Sequence, residues 1–398
     1  DGDLDLYVVS GSVEPAAPLR DRLYLNDGNA NFEATADALP EMDFSGSVAR
    51  AGDWDGDGDL DLFVGGRIVP GQYPLPAPSV LLRNDGTGRF SRAGFSDDKF
   101  PGRLGLVTDA EWFDYDDDER LDLIVSSEWG PVRVFRNEGK GFREVTEEAG
   151  LAGHSGWWLS LRIGDFDGDG DEDFVAGNFG RNTKYAPSAM KPELLFYGRF
   201  SGSEKPNLIE AKPDLEGDLL PRRGFSCSKE AMPFIDTKIE TFTNFARSSL
   251  EEIYSPSDLE ASQRFQVTTA ETSLFLNDGK GQFERVALPP LAQIAPVFGI
   301  DAADADGDGD LDLVMAQNFY TPQRETGQMD GGLSLYLENA GPGSDPSALF
   351  VPSWPSRSGV VVPGDAKSAG FGDFDGDGSP DIVIGVNQSF PRLFLNRP

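Results

Sequence analysis

The chain of 398 residues contains one cysteine, Cys227, and one histidine, His154. One thiol cannot form an internal disulfide, and one imidazole builds neither a zinc site nor a histidine pair for acid–base chemistry. Basic residues are scarce too: 34 Lys and Arg stand against 68 Asp and Glu, a formal net charge of -34. That sign disfavours nucleic acid and anionic membrane surfaces as partners. No apolar run is long enough to span a bilayer.

Much of the acidity is concentrated in a repeat. The spacing Asp-x-Asp-x-Asp-x-x-x-Asp starts at Asp53, Asp114, Asp165, Asp304 and Asp373, and each copy leads into an apolar strand. In the first, Asp53, Asp55, Asp57 and Asp61 occupy loop positions 1, 3, 5 and 9, and the carbonyl of Asp59 at position 7 adds an oxygen. Hard oxygen donors in that number suit calcium. Gly56 and Gly58 permit the positive φ angles that wrapping round an ion demands. Without a counter-ion, four carboxylates so close together repel strongly. The cation is therefore expected to be part of the folded state.

The pattern is also complete in Asp165, Asp167, Asp169, Asp171 and Asp173, and in Asp304, Asp306, Asp308, Asp310 and Asp312. It recurs in Asp373, Asp375, Asp377 and Asp381 around Ser379. Asp114, Asp116, Asp118 and Asp122 keep the four carboxylates around Arg120 but place Asp117 and Glu119 where the others have glycine, so this loop is expected to be strained or altered. Asp1, Asp3 and Asp5 overlay the second half of the pattern, so the true N-terminus is expected upstream. A further copy, Arg199 to Leu208, keeps the frame without carboxylates at ligand positions and is expected to be metal-free. Five to six calcium ions follow. Loops of this kind bind at roughly 0.1 to 1 mM in extracellular modules, far above cytosolic calcium, which implies an exported, extracellular or cell-surface protein.

Around each loop the same order recurs. A strand of small residues (Ser47 to Ala51) precedes the loop, an apolar strand follows (Leu60 to Gly65), and a third strand ends in Asn (Val80 to Asn84, Leu274 to Asn277). A turn such as Asn84-Asp85-Gly86 then leads to a short strand opening with Phe32, Phe90, Phe142 or Phe283. Units of four strands repeated at this spacing describe a propeller. Asp85 to Gly88 is no phosphate loop, because no helix follows it.

Together with Phe298-Gly299 before Asp304 and Phe371-Gly372 before Asp373, these loops resemble the FG-GAP or VCBS repeats of integrin α-subunit propellers. The unit pattern is most similar to bacterial FG-GAP repeat proteins of the cartilage-acidic-protein type, the ASPIC/UnbV group. The resemblance covers nearly the whole chain and implies calcium in the hairpin between strands one and two of a blade. The expected fold is all-β: one seven-bladed β-propeller over 1–398, truncated at both ends, with a helical insertion over 211–272 in blade five. There Ile239, Phe242, Ala246, Leu250 and Ile253 recur at helical spacing, and a second short helix is expected near Ser257.

Connections between strands two and three are the long ones, and they lie opposite the metal loops. Variable loops on a rigid scaffold carry recognition. The expected ligand face comprises Arg67, Tyr73, Trp129, Asn178, Phe179, Arg181, Asn182, Lys184, Tyr185, Asn318, Phe319, Tyr320, Arg324, Asn387 and Gln388, aromatic faces beside amides and guanidinium groups that suit a protein or glycan. The bland alternative is that many of them satisfy neighbouring loop backbones. His154-Ser155-Gly156-Trp157-Trp158 reads as packing before a core strand, and Cys227 has no histidine near it in sequence. The leading expectation is a non-enzymatic adhesion or interaction module. Its rivals are a carbohydrate-active enzyme, a polysaccharide lyase or hydrolase with its cleft under the helical insertion, and a structural subunit of a surface assembly.

Overall fold

The structure is a computed structural model describing residues 2–93 and 102–397. The chain divides into two compact units: residues 1–152, 157–184 and 271–398 form one, and 153–156 with 185–270 form the other.

The first unit is built from antiparallel hairpins that all open the same way. Strand one, Ser45–Gly52, pairs with strand two, Asp61–Ile68, which pairs with Val80–Asn84, which pairs with Phe90–Arg92. The same succession runs Leu106–Phe113, Asp122–Gly130, Arg133–Asn137, Phe142–Glu144, and again Val297–Ala303, Asp312–Gln317, Leu335–Asn339, Phe350–Ser353. Leu6–Val8, Arg22–Asn26 and Phe32–Ala34 form a three-stranded sheet at one end of the sequence, and Ala366–Gly372, Asp381–Val386 and Arg392–Phe394 another at the far end.

Strand two of each sheet is apolar on both faces because it lies between two cores. Leu123 and Val125 pack with Phe63 and Leu81 of the preceding sheet, while Ile124 between them packs with Leu161, Phe174 and Phe275 of the next. Val175 turns away from Phe174 to meet Leu313 and Met315, and Val314 turns away from those to meet Ile382 and Ile384. The period-two alternation of a strand thus divides its side chains between neighbouring inter-sheet cores rather than between core and water. First strands lie side by side: Arg50 Nε donates to the Ala110 carbonyl at 2.6 Å, Leu161 N–H to Asp109 Oδ2 at 3.0 Å, and Phe371 N–H to Asp301 Oδ2 at 2.7 Å. This is an all-β, propeller-like arrangement.

The expected fifth blade is corrected. Ser273–Asn277 pairs with Asp173–Gly177, so it is the third strand of the sheet begun by Ser160–Gly164, and Phe283–Ala287 completes that sheet. The intervening stretch forms the second unit. Its sheet runs Leu219–Pro221, Asn207–Pro213, Glu193–Gly198, Gln263–Val267 in spatial order, so the last strand returns to the first rather than continuing a meander. The Arg199 to Leu208 segment is the turn of its central hairpin, with Ser201 at φ 50° and Gly202 at φ 76°.

The expected helical run is five short helices: Phe225–Ala231, Phe234–Lys238, Phe242–Arg247, Leu250–Ile253 and Pro256–Ala261. Local signals cut it into pieces. Pro233 precedes the second, Thr241 caps the third through Asn244 N–H, Ser249 and Glu252 form a capping box, and Pro256 opens the fifth. Ile239, Leu250 and Ile253 join Phe200 and Tyr254 in the core of this unit, whereas Phe242 is 64% exposed. The first helix holds Cys227.

Metal loops and the opposite strand ends

Register places each loop identically. Gly52 faces Asp61, Phe113 faces Asp122, Gly164 faces Asp173, Ala303 faces Asp312 and Gly372 faces Asp381. Loop position 9 is therefore the first residue of strand two, and position 1 follows directly on the last rung of strand one. The hairpin itself brings the two ends of the motif together.

Within the loop each carboxylate has a fixed task. Position 1 gathers backbone N–H groups: Asp165 accepts from Gly168 at 2.8 Å and Gly170 at 3.1 Å, and Asp304 accepts from Gly307 and Gly309 at the same distances. Position 5 accepts from position 7, as Asp308 does from Asp310 N–H at 3.0 Å and Asp377 from Ser379 N–H at 2.8 Å. The position-7 side chain seats on the turn between strands three and four, where a Cβ on Gly86 would meet Asp59 Oδ2 at 2.7 Å. Gly86 has φ 78°, so both its conformation and its neighbour require glycine.

Position 9 is buried. Desolvation pushes Asp61 up to about 6 and Asp122 and Asp173 up to about 7; backbone N–H groups from Asn84, Asn137 and Asn277 partly oppose it, and neighbouring loop carboxylates add to it. Carboxylate oxygens fall within 4.8 Å of one another in five groups: Asp53, Asp55 and Asp57; Asp114, Asp116 and Asp122; Asp165, Asp167 and Asp173; Asp304, Asp306 and Asp308; Asp373, Asp375 and Asp381. Asp61 Oδ2, Asp116 Oδ1 and Asp3 Oδ1 are buried with no hydrogen-bond partner. The clustered hard oxygens of these groups fit a divalent cation, and calcium before magnesium because the ligands are many and their spacing follows a flexible loop. Asp5 accepts from Asn26 N–H at 2.9 Å, as its counterparts do; Asp1 lies outside the described residues.

The asparagine that ends strand three has a role that the sequence reading did not assign. Its N–H binds position 9 in Asn84, Asn137, Asn277, Asn339 and Asn396, at 2.5 to 2.9 Å. Its side chain reaches further: Asn137 Nδ2 donates to the Trp54 carbonyl at 2.7 Å, Asn339 Nδ2 to Phe166 at 2.9 Å and Asn396 Nδ2 to Ala305 at 2.6 Å. Each acceptor is position 2 of the neighbouring sheet's loop. Asn137, Asn339 and Asn396 thus join one Asp loop to the next, and the recurrence of asparagine before each Gly-containing turn was the available signal.

At the opposite strand ends the candidate ligand residues divide. Asn178 and Asn318 are fully buried: Asn178 Oδ1 accepts from Trp157 N–H at 3.2 Å, and Asn318 Nδ2 donates to the Gly332 and Gly364 carbonyls, both at 2.9 Å. These amides hold loop backbone, because a buried peptide group needs a partner and the amide supplies one. Asn182 binds the Ile294 carbonyl and Asn387 binds Asp365. Arg67 pairs with Glu128, and Tyr73 joins Glu128 and Trp129 Nε1. Arg181 pairs with Glu271, and Tyr320 donates to the Pro363 carbonyl at 2.7 Å. Arg324 is exposed. Tyr185 belongs to the second unit, where Arg222 lies over its ring at 5.4 Å.

An aromatic row runs across these ends. Trp129 meets Trp157 edge-on at 5.3 Å, Trp157 stacks on Phe179 at 5.0 Å, Phe179 lies 6.3 Å from Phe319, and Phe319 meets Phe298 at 5.3 Å. Lys367 caps it, 3.5 Å from the Phe298 centroid and paired with Asp365 at 2.7 Å. All but Trp157 are partly exposed.

Two further features were not read from sequence. First strands carry a ladder of charge: Arg50 pairs with Asp109 at 2.6 Å and Glu111 at 3.3 Å, and Arg162 pairs with Glu111 at 3.8 Å and Asp301 at 2.8 Å, around a cavity of about 330 Å³. Burial raises both Asp109 and Glu111, against the pull of Arg50. The second unit holds a cavity of about 570 Å³ lined by Asp218, Glu251, Glu260 and Arg264 beside Phe196 and Leu250.

The FG-GAP-like repeat family matches residues 1–64, 114–176 and 265–315, and the FG-GAP repeat family matches 367–392. The chain is an FG-GAP repeat protein. The match is to the repeat and does not reach the ASPIC/UnbV subgroup. No curated protein matches the chain. Among solved structures, BBS1N in complex with ARL6DN, soaked with lead, is 9% identical over 98% of this chain and 94% of that one, with a TM-score of 0.36. The V. cholerae biofilm matrix protein Bap1 is 10% identical over 96% and 84%, with a TM-score of 0.26. Neither likeness is strong enough to bear on function. Among the described residues no helix is long and apolar enough to cross a membrane.

Proposed function

We propose that this FG-GAP repeat protein is an exported, calcium-stiffened, non-enzymatic interaction module that binds a protein or glycan at the strand ends away from its Asp loops. The observation that carries the reading is the polarity of the sheets. One end of strand two holds a cluster of carboxylates suited to calcium, and the other holds a row of mostly buried but partly accessible aromatic rings among paired charges. Rigid aromatic faces beside fixed polar groups suit pyranose rings or peptide side chains.

Calcium is tested by melting. Chelation should lower the Tm, calcium should restore it, and magnesium should restore it poorly because its rigid octahedron fits these loops badly. Asp167→Ala should lose one site while Ser201→Ala keeps the full metal content. An unchanged melting curve refutes the calcium role, and equal calcium loss in both variants refutes the metal-free turn. Binding is tested on immobilised polysaccharides and on extracellular proteins of the source, with Trp129→Ala and Phe319→Ala as probes. Both should weaken binding about tenfold or more, since aromatic hot spots contribute 2 kcal/mol or above. Binding untouched by either change removes the aromatic row from the ligand face.

The enzyme reading rests on the cavity of the second unit, which brings three carboxylates and an arginine together under the short helices. Asp218, Glu251 and Glu260 are exposed, however, so water rather than a closed cleft surrounds them. Release of reducing ends or unsaturated products from a bound polysaccharide would establish catalysis in place of simple binding.

A further inference from the structure

The Asp loops share a frame but not a charge balance. In the Asp53 loop a guanidinium from strand three lies across positions 3 and 5: Arg83 Nε is 2.8 Å from Asp55 Oδ2, and Arg83 Nη2 is 2.9 Å from Asp57 Oδ2. In the Asp114 loop Arg136 repeats the arrangement, 2.7 Å from Asp116 and 3.1 Å from Asp118. A second guanidinium joins it there. Arg120, at position 7, pairs with Asp118, and its Nε donates to the Asn137 carbonyl at 2.9 Å. The equivalent strand-three residues for the other three loops are Leu276, Glu338 and Leu395, which bring no cation. Among the described residues no Arg or Lys forms an ion pair with the Asp165, Asp304 or Asp373 loop.

The backbone of the Asp114 loop gives an independent sign. Asp117 at φ 58° and Glu119 at φ 65° adopt the left-handed conformation that Gly56 and Gly58 adopt at 75° and 95°. Non-glycine residues there are strained, so something must hold the loop in frame. The two guanidiniums do so by charge, since both donate to Asp118 and Arg136 Nε lies 2.7 Å from Asp116 Oδ2, while Asp116 Oδ1 stays buried without a partner. They also oppose a divalent ion placed among the same oxygens.

We propose that arginine stands in for calcium in part of this repeat: Arg136 with Arg120 holds the Asp114 loop closed without metal, Arg83 does so in part for the Asp53 loop, and the calcium requirement of the fold falls on the loops at Asp165, Asp304 and Asp373. This rests on the calcium reading above. Two positive charges within several ångströms of the site weaken calcium at the Asp114 loop by about tenfold or more relative to the three loops without arginine. Calcium depletion then loosens one run of sheets while leaving its neighbours closed, which makes the requirement graded along the chain.

Site-resolved hydrogen exchange of the whole chain, with saturating calcium and with chelator, tests this. Peptides covering 165–173, 304–312 and 373–381 should lose protection on chelation, those covering 114–122 should keep it, and those covering 53–61 should fall between. In the R120Q/R136Q variant the 114–122 peptides should become as sensitive to chelator as the rest, and R136Q alone should move them part of the way if the double variant does not fold. Equal sensitivity of all five loops in the unmodified protein overturns the arginine assignment and leaves calcium standing. Insensitivity of all five overturns the calcium reading and this inference with it. Unchanged exchange at 114–122 in the folded variants also overturns it.

Discussion

Replacing Asn339 by alanine tests the claim that strand-three asparagines join neighbouring loops. The side chain is nearly buried and makes three hydrogen bonds: Nδ2 to the Phe166 carbonyl at 2.9 Å, Nδ2 to the Leu311 carbonyl at 3.2 Å, and Oδ1 from Gly341 N–H at 3.0 Å. At about 1 kcal/mol net each, their loss costs about 3 kcal/mol, since the stranded backbone groups lie where water enters poorly. Asn26 makes two analogous bonds, to Leu4 at 3.1 Å and from Gly28 at 3.2 Å, but in an exposed setting. Asn26→Ala should therefore cost about 1 kcal/mol or less. Urea unfolding in calcium, followed by tryptophan fluorescence, is the assay. All six tryptophans lie in the larger unit, so the signal reports that unit alone. A loss below about 1 kcal/mol for Asn339→Ala, or equal losses in both variants, refutes the argument.

Other expectations are as direct. In chelated protein Asp122 and Asp173, pushed up to about 7, hold protons in the folded state that unfolded carboxyls near 4 have released, so stability falls as pH rises from about 4 to about 7. Urea midpoints of stripped protein at pH 5 and pH 8 check the sign, and a higher midpoint at pH 8 contradicts it. Arg50→Ala leaves Asp109 with backbone donors alone and Glu111 with Arg162 at 3.8 Å, and should cost about 2 kcal/mol, below the usual figure for breaking a buried pair because Arg50 is itself partly exposed. Phe174→Ala removes a fully buried ring stacked on Phe275 at 4.4 Å and should cost about 3 to 5 kcal/mol, while a loss under about 1.5 kcal/mol would mean that the two-core packing of strand two is misdescribed.

The hairpins and their loops were legible because the signal is local. The Asp loops hold their carboxylates and glycines within nine residues, and the apolar run of strand two follows directly. The partner of Ser273–Asn277 was not legible, because any strand-two sequence pairs equally well on pattern; only the structure shows that Asp173–Gly177 receives it. The helical stretch misled for a related reason: apolar spacing suggested one face, while Pro233, Thr241, Ser249 and Pro256 each ended or restarted a helix. Amides such as Asn178 and Asn318 looked available because loop residues usually are, and burial by neighbouring loops cannot be read from composition.

The sheet begun by Ser160–Gly164 cannot be completed until the chain has passed through the whole second unit, because its second and third strands are separated by that unit in sequence. Were those roughly hundred residues disordered, joining the strands would cost about 4 kcal/mol of chain entropy. A segment that folds by itself shortens the effective tether and reduces that cost. All of the smaller unit precedes Ser273–Asn277 in the chain, and Arg181 pairs with Glu271 where the chain leaves and re-enters the larger unit. The insertion therefore sets an order of synthesis: this sheet cannot be closed until the whole smaller unit has emerged.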